Sequence, residues 1–150
     1  MKIYIGGDHR GFKLKKKIIP FLKKMGHEVV DLGVHEAGII CDYPKISYDV
    51  ATRVAKEEGT RGILACMTGI GHSIAANKVP GAYAALCYTH RAAHLSREHN
   101  NANILVLGAK FVKASEIPNI IRIWLKTEFA GGRHLRRVNQ IKAIEKEFLK

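Results

Sequence analysis

RGILACMTGIG, residues 61–71, reads as a short apolar strand, 61–66, that runs into a bend carrying two glycines. A helical pattern over 72–77 follows, so the stretch spells one strand–turn–helix unit. Outward from it, strand-like runs at 2–6 (KIYIG), 28–32 (EVVDL), 82–87 (AYAALC) and 103–108 (NILVLG) alternate with helical patterns over 11–25, 44–58, 89–98, 115–128 and 134–149. Five such units predict an α/β fold, a three-layer sandwich in which helices cover both faces of a five-stranded parallel sheet. The short connections predict a single domain over 1–150.

Two helices carry sharper expectations. Pro20 falls inside the first, where its missing N–H and its ring should kink or end the helix near Lys16. The last is an extended C-terminal helix with Val138, Ile141, Ile144 and Phe148 on one stripe. That stripe needs a surface to cover, preferably a second subunit, otherwise its own sheet.

With 150 residues, 47% of them hydrophobic, the chain can bury one core without disulfides or a structural metal. A formal charge of +12 implies an anionic partner: nucleic acid, a membrane surface or a phosphorylated small molecule. The lysines of the first helix lie mostly opposite its apolar face of Leu14, Ile18, Phe21, Leu22 and Met25, as on a solvated surface. Aromatic residues make up only 7%, too few for an aromatic-studded basic groove, so no specific nucleic-acid binding is expected. Cys41, Cys66 and Cys87 are too far apart for a CxxC motif, and three is a poor disulfide framework, which suits a reducing, cytoplasmic setting. No run approaches the ~20 apolar residues of a membrane span, and no secretion signal is read.

Open parallel sheets bind ligands beyond the carboxyl ends of their strands. There the chain has Asp8-His9, Cys66 to Gly71 and Gly108-Ala109-Lys110, while the fourth helix closes on His99-Asn100. GGDHRG at 6–11 approaches a dinucleotide fingerprint, but Asp8 replaces the middle glycine and would repel a pyrophosphate. The second glycine turn lacks the third glycine, and no GK[ST] exists, so no nucleotide cofactor is expected. The Thr68–Gly71 bend instead lets backbone N–H groups converge on an anion. Cys66 precedes that bend, where N–H dipoles or cations should lower its pKa; by position it is equally a small buried hydrophobe, as Cys87 is. His90 and His94 stand one helical turn apart, yet HRAAH lacks the glutamate of HExxH and a third ligand, so no metal is expected. GGRHLRR at 131–137 sets Arg133 and Arg137 on one face of a helix start, a phosphate site if they are not merely solvated.

Five blocks in order, GDHRGFKLK (7–15), DYP (42–44), RGILACMTGIGHSIAANKVPG (61–81), SREHNNANILVLGAK (96–110) and TEFAGGRHLRRV (127–138), resemble the type B ribose-5-phosphate isomerases within the ribose/galactose isomerase family. The resemblance implies a Rossmann-like fold, no metal or organic cofactor, and a homodimer with active sites between subunits, sometimes paired into tetramers. It implies interconversion of ribose 5-phosphate and ribulose 5-phosphate. By position it makes Cys66 the base between C1 and C2, has Thr68 serve the O1/O2 proton, and assigns furanose opening to His99. Asp8 would bind sugar hydroxyls, Asn100 and Tyr43 of the DYP block would line the pocket, and amides from Met67 through Gly69 to Gly71 would hold the enediolate oxygen. His9, Arg133 and Arg137 would grip the phosphate, with Lys110 beside them.

Three departures from that family stand out: Met67 where glycine is usual, Lys110 where many relatives have arginine, and an unusual Val34–Cys41 segment. Met67 would narrow the pocket, and Lys110 exchanges a planar fork for a point charge. The alternatives are an isomerase of a hexose 6-phosphate such as allose or galactose 6-phosphate, and a non-catalytic basic nucleic-acid-binding module. The presence of Cys66 favours the pentose.

Overall fold

The computed structural model describes residues 1–148. Its strands are β1 (Lys2–Gly7), β2 (Glu28–Asp31), β3 (Arg61–Cys66), β4 (Ala84–Leu86) and β5 (Ile104–Gly108). They form one all-parallel sheet in the order β2-β1-β3-β5-β4. The helices are α1 (Phe12–Lys24), α2 (Tyr43–Lys56), α3 (Ile70–Ala76), α4 (His90–Asn100), α5 (Ile117–Lys126) and α6 (Arg133–Phe148). The expected α/β sandwich and its five strands are thus present; of the C-terminal helix expected over 134–149, residue 149 lies outside the described residues.

Alternation along the central strands builds two cores, one on each face, because successive strand side chains point to opposite sides. Ile3, Ile5, Ile63, Leu105 and Leu107 pack with Leu14, Ile18 and Leu22 of α1 and Ile120, Ile121 and Trp124 of α5. The intervening Tyr4, Leu64, Ile104 and Val106 pack with Ile46, Val50 and Val54 of α2 and Ala76 of α3. Each fully buried Ile or Leu contributes roughly 1.5–3 kcal/mol, so this double patterning holds the sheet against both helix layers. No helix among the described residues is long and apolar enough to cross a membrane.

Helix α1 corrects two expectations. It continues through Pro20 to Lys24 instead of ending near Lys16. Lys16 and Pro20 are both exposed, so water can satisfy the Lys16 carbonyl that proline leaves unbonded. Buried Leu14, Ile18 and Leu22 pin the helix on either side of the defect. Lys15 also departs from the solvated stripe: it is 1% exposed, with Nζ 2.6 Å from Asp31 Oδ1 and bonded to the Val34 carbonyl. A buried ammonium needs such partners, and here they tie α1 to the chain leaving β2.

Helix α6 meets the rest of the chain through Val138 and His134, which are buried, and through Glu145, which accepts hydrogen bonds from Gly81 N and Tyr83 Oη, both at 3.1 Å. Ile141, Ile144 and Phe148 stay 41%, 57% and 73% exposed. The chain itself therefore buries the apolar stripe only at Val138 and leaves the rest of it uncovered.

Candidate active site

The sheet order places β1 beside β3, and the helices that follow them lie on opposite faces: α1 in the first core, α3 in the second. The crevice opened at such a switch point is where parallel sheets hold ligands. Asp8 follows β1 and Cys66 ends β3, both nearly buried at its floor, with Cys66 Sγ 3.3 Å from Asp8 Oδ2 as hydrogen-bond donor. The other carboxylate oxygen, Oδ1, accepts from the backbone N–H groups of Arg10 at 3.1 Å and Gly11 at 2.9 Å. Asp8 is thereby fixed by the turn that begins α1 before it meets the thiol.

The loop after Cys66 is held from three sides. Gly69 caps α3 at φ +84°, where a Cβ would also lie 2.6 Å from Leu86 Cδ1. The Thr68 backbone carbonyl accepts a hydrogen bond from Tyr88 Oη at 3.0 Å, and Thr68 Oγ1 accepts from Ile70 N at 3.2 Å. From the turn after β5, Ala109 N donates to the Cys66 carbonyl and Lys110 N to the Met67 carbonyl, both at 2.9 Å. Tyr43 lies over Gly71, where a Cβ would come within 2.6 Å of its ring, and Arg10 Nη1 reaches Met67 Sδ at 3.2 Å. His9 Nδ1 contacts the Cys41 carbonyl at 3.3 Å. Asp8, His9, Tyr43, Cys66, Met67, Thr68, Gly69, Gly71 and Lys110 therefore form one neighbourhood.

The electrostatics of the thiol correct the sequence-based expectation. Burial is the main influence and raises the Cys66 pKa; the hydrogen bond to Asp8 and its charge act the same way, against the N–H groups of Gly69 and Thr68. The converging amides are present as expected, but low solvation and the carboxylate outweigh them. Cys87, read as a core thiol, is one: it is 1% exposed, and burial pushes its pKa up to about 11.

His72 was not assigned a role from the sequence, although the structure puts it beside this pair. It is fully buried, bonded through Nδ1 to Ser47 Oγ at 2.7 Å, with its ring 5.7 Å from that of Tyr43. The available sequence signal was its position one turn before Ala76 on the inward side of α3. Burial lowers its pKa from 6.5 to about 4, against the pull of the Asp8 charge. Between those values the unfolded chain binds a proton that the folded chain refuses, so stability is full above pH 6.5 and falls as pH drops toward 4. Urea titrations at pH 7 and 4.5 should show the unmodified chain losing roughly 2 kcal/mol more than His72→Leu. Equal losses would remove His72 from the acid limb.

The remaining predicted residues lie elsewhere. His99 stacks on His134, with ring centroids 4.1 Å apart and planes 10° apart, and its Nε2 is 3.3 Å from Glu98 Oε2. Arg133 and Arg137 are exposed on the first turns of α6, one on each side of buried His134. Partial desolvation, then His99 and the two arginines, hold the His134 pKa below the usual imidazole value. Asn100 is exposed and shares the wall of a cavity of about 660 Å³ with Ile141, Ile144 and Phe148. No hydrogen bond, ion pair or ring contact among the described residues joins this cationic group to Cys66. His90 is exposed, and His94 bonds Thr127 and Glu98, so the histidine pair offers no shared ligand site.

Fold and crevice together define a doubly wound α/β protein with a thiol–carboxylate pair at its topological switch point. The sequence matches the Ribose/Galactose Isomerase family over residues 3–141, and the chain belongs to that family. It is 44% identical over 144 residues to ribose-5-phosphate isomerase B of Escherichia coli, covering 96% of each chain. A structure of ribose-5-phosphate isomerase B from Clostridium thermocellum superposes with a TM-score of 0.95 at 51% identity, covering 99% of both chains. The Mycoplasma genitalium ribose-5-phosphate isomerase B, solved with bound ribulose 5-phosphate, gives 0.93 at 45% identity and 97% coverage of both.

Proposed function

We propose that the chain interconverts D-ribose 5-phosphate and D-ribulose 5-phosphate through an enediolate, with Cys66 as the base. The observation that carries this reading is the Cys66–Asp8 hydrogen bond beside the N–H groups of Thr68 and Gly69. Asp8 Oδ2, already the acceptor of the thiol hydrogen, takes that proton when substrate displaces water. The thiolate then removes the C2 proton of the open-chain aldose. The C2–H electron pair becomes the C1=C2 bond, and the former carbonyl pair moves onto O1, which the loop amides stabilise. Thr68 Oγ1 relays a proton from O2 to O1, and Cys66 returns its proton to C1 as the C2 carbonyl forms. Three free cysteines support a reducing cytoplasmic setting.

A coupled assay with ribose 5-phosphate and allose 6-phosphate tests the substrate. Turnover of the pentose should exceed that of the hexose by about tenfold or more, since a misfitting carbon costs 1–3 kcal/mol of transition-state binding. A faster hexose would shift the assignment to the six-carbon sugar.

Ring opening belongs to His99, and the phosphate grip to Arg133 and Arg137, of a second copy that meets His9 and Lys110 beside Cys66, in a homodimer whose sites lie between subunits. The separation of these residues from Cys66 within one chain supports this, as does the exposed ridge of Ile141, Ile144 and Phe148. Mixing unfolded Cys66→Ala and His99→Ala chains and refolding them together should return about a quarter of wild-type activity. Half the dimers would be mixed, each with one intact site of two. Activity no higher than that of the separate variants would place each site within one chain.

A further inference from the structure

We propose that Asp8, Cys66 and His72 form a binding site for a thiophilic divalent cation of the zinc class, which reversibly blocks the crevice. One ring nitrogen of His72, one carboxylate oxygen of Asp8 and Cys66 Sγ all lie within 4.8 Å of one another, and all three residues are buried. Cys66 Sγ and Asp8 Oδ2 are already 3.3 Å apart. Around a tetrahedral ion with bonds of about 2.0–2.3 Å, neighbouring ligand atoms stand roughly 3.3–3.8 Å apart, so an imidazole nitrogen within 4.8 Å of the other two has to close in by no more than about 1.5 Å.

Which nitrogen is free follows from the hydrogen count at Ser47. Its hydroxyl has one hydrogen, donated to the Tyr43 carbonyl at 2.9 Å. With that hydrogen directed at the carbonyl, Ser47 Oγ accepts from His72 Nδ1, 2.7 Å away; in this tautomer Nδ1 carries the ring hydrogen and Nε2 keeps its lone pair. Nε2 is buried and has no hydrogen-bond partner among the described residues. A buried acceptor left unsatisfied is costly, and a cation bridging to Asp8 and Cys66 would satisfy it. Ser47 is also the kind of outer partner that fixes the tautomer and ring orientation of a metal-bound histidine.

The charges match. Binding replaces the thiol hydrogen by the ion, Cys66 releasing one proton to solvent as its sulfur becomes a thiolate ligand. Thiolate and carboxylate then neutralise the two positive charges, imidazole adds no charge, and a fourth position stays open toward the crevice. The binding itself is independent of the reaction proposed above. Only the inhibition rests on that reading, because the ion occupies the sulfur and carboxylate assigned to proton transfer.

Cobalt(II) is the probe, added to chelator-stripped protein and followed by absorption. The expected result is a near-ultraviolet thiolate-to-cobalt band with intense tetrahedral visible bands, saturating at one ion per chain. Cys66→Ser should abolish the thiolate band, His72→Leu should weaken binding by more than about tenfold, and Ser47→Ala by about tenfold. Cys41→Ser should leave all of this unchanged. Absence of the band, or a band that survives Cys66→Ser or is indifferent to His72→Leu, would overturn the site. In a separate arm, zinc should inhibit isomerisation by wild type reversibly to EDTA, and His72→Leu should need at least tenfold more zinc. Cobalt binding without isomerase activity would sink the proposed reaction and leave the ion site standing; inhibition that His72→Leu does not relieve would overturn its blocking role.

Discussion

Cys66→Ala is expected to lower kcat/KM for ribose 5-phosphate by about three orders of magnitude or more, the upper part of the range for a lost acid–base group. A thousandfold loss corresponds to about 4 kcal/mol of transition-state stabilisation, more than any single contact to the phosphate should account for. The distinguishing readout is solvent deuterium. Wild type should incorporate it at C1 of ribulose 5-phosphate during turnover, whereas the variant should incorporate none while binding inorganic phosphate with unchanged affinity. The second expectation follows because none of the side chains assigned to the phosphate, His9, Lys110, Arg133 and Arg137, is hydrogen-bonded to the Cys66 sulfur, whose side-chain partner is Asp8. The fold should survive as well, since alanine removes only the sulfur of a residue 8% exposed, and that sulfur is bonded to a single side chain. Undiminished exchange in the variant would eliminate Cys66 as the base and turn attention to Asp8.

Gly11→Ala should be the most destructive single-methyl substitution in the molecule. A Cβ at this position would lie 1.8 Å from the Ala65 carbonyl oxygen, 2.3 Å from its carbon and 2.8 Å from Cys66 N. All three are backbone atoms of β3, so no rotamer change relieves the clash, and α1 must lift off the sheet by more than an ångström. Lifting it stretches the Asp8 Oδ1 bond to Gly11 N and disturbs the packing of Leu14 and Ile18. Overpacking of a well-filled core costs about 1–3 kcal/mol where side chains can yield, and a collision between main chains belongs above about 4. Against a total stability of about 5–15 kcal/mol, that loss should leave a large unfolded fraction in mild urea. Whatever folds should also be impaired as a catalyst, because the clash falls on the peptide that carries Cys66. A melting temperature and turnover equal to wild type would show that α1 is not seated as described.

The layers were readable because each central strand alternates two apolar sets, Ile3 and Ile5 against Tyr4, Ile63 and Ala65 against Leu64, and local pattern is sufficient to declare both faces buried. The strand order was not: whether β4 or β5 lies beside β3 depends on contacts between distant residues. Pro20 misled because the rule for proline in a helix ignores which side faces water. Lys15 misled because a lysine on the border of an apolar stripe is buried only when an acceptor such as Asp31 waits beneath it. At the site, Cys66, Thr68 and the glycines were visible as one motif, while the sign of the Cys66 shift depended on how deeply the fold buries the thiol and, after that, on Asp8, 58 positions away in sequence. His72 was hidden for a similar reason, since a polar residue on a buried helix face has no meaning until Ser47, Asp8 and Cys66 surround it.

Asp8 has two masters. One oxygen ties down the main chain where α1 starts; the other listens to the proton on Cys66. Asparagine there would keep an acceptor for the turn but present amide hydrogens to the sulfur, so fold and chemistry would answer oppositely to the same exchange. Variation at this position is therefore doubly constrained: a drifting sequence could relax neither demand without meeting the other, which makes residue 8 a poor place to begin re-engineering specificity and a sensitive place to read whether a descendant still works.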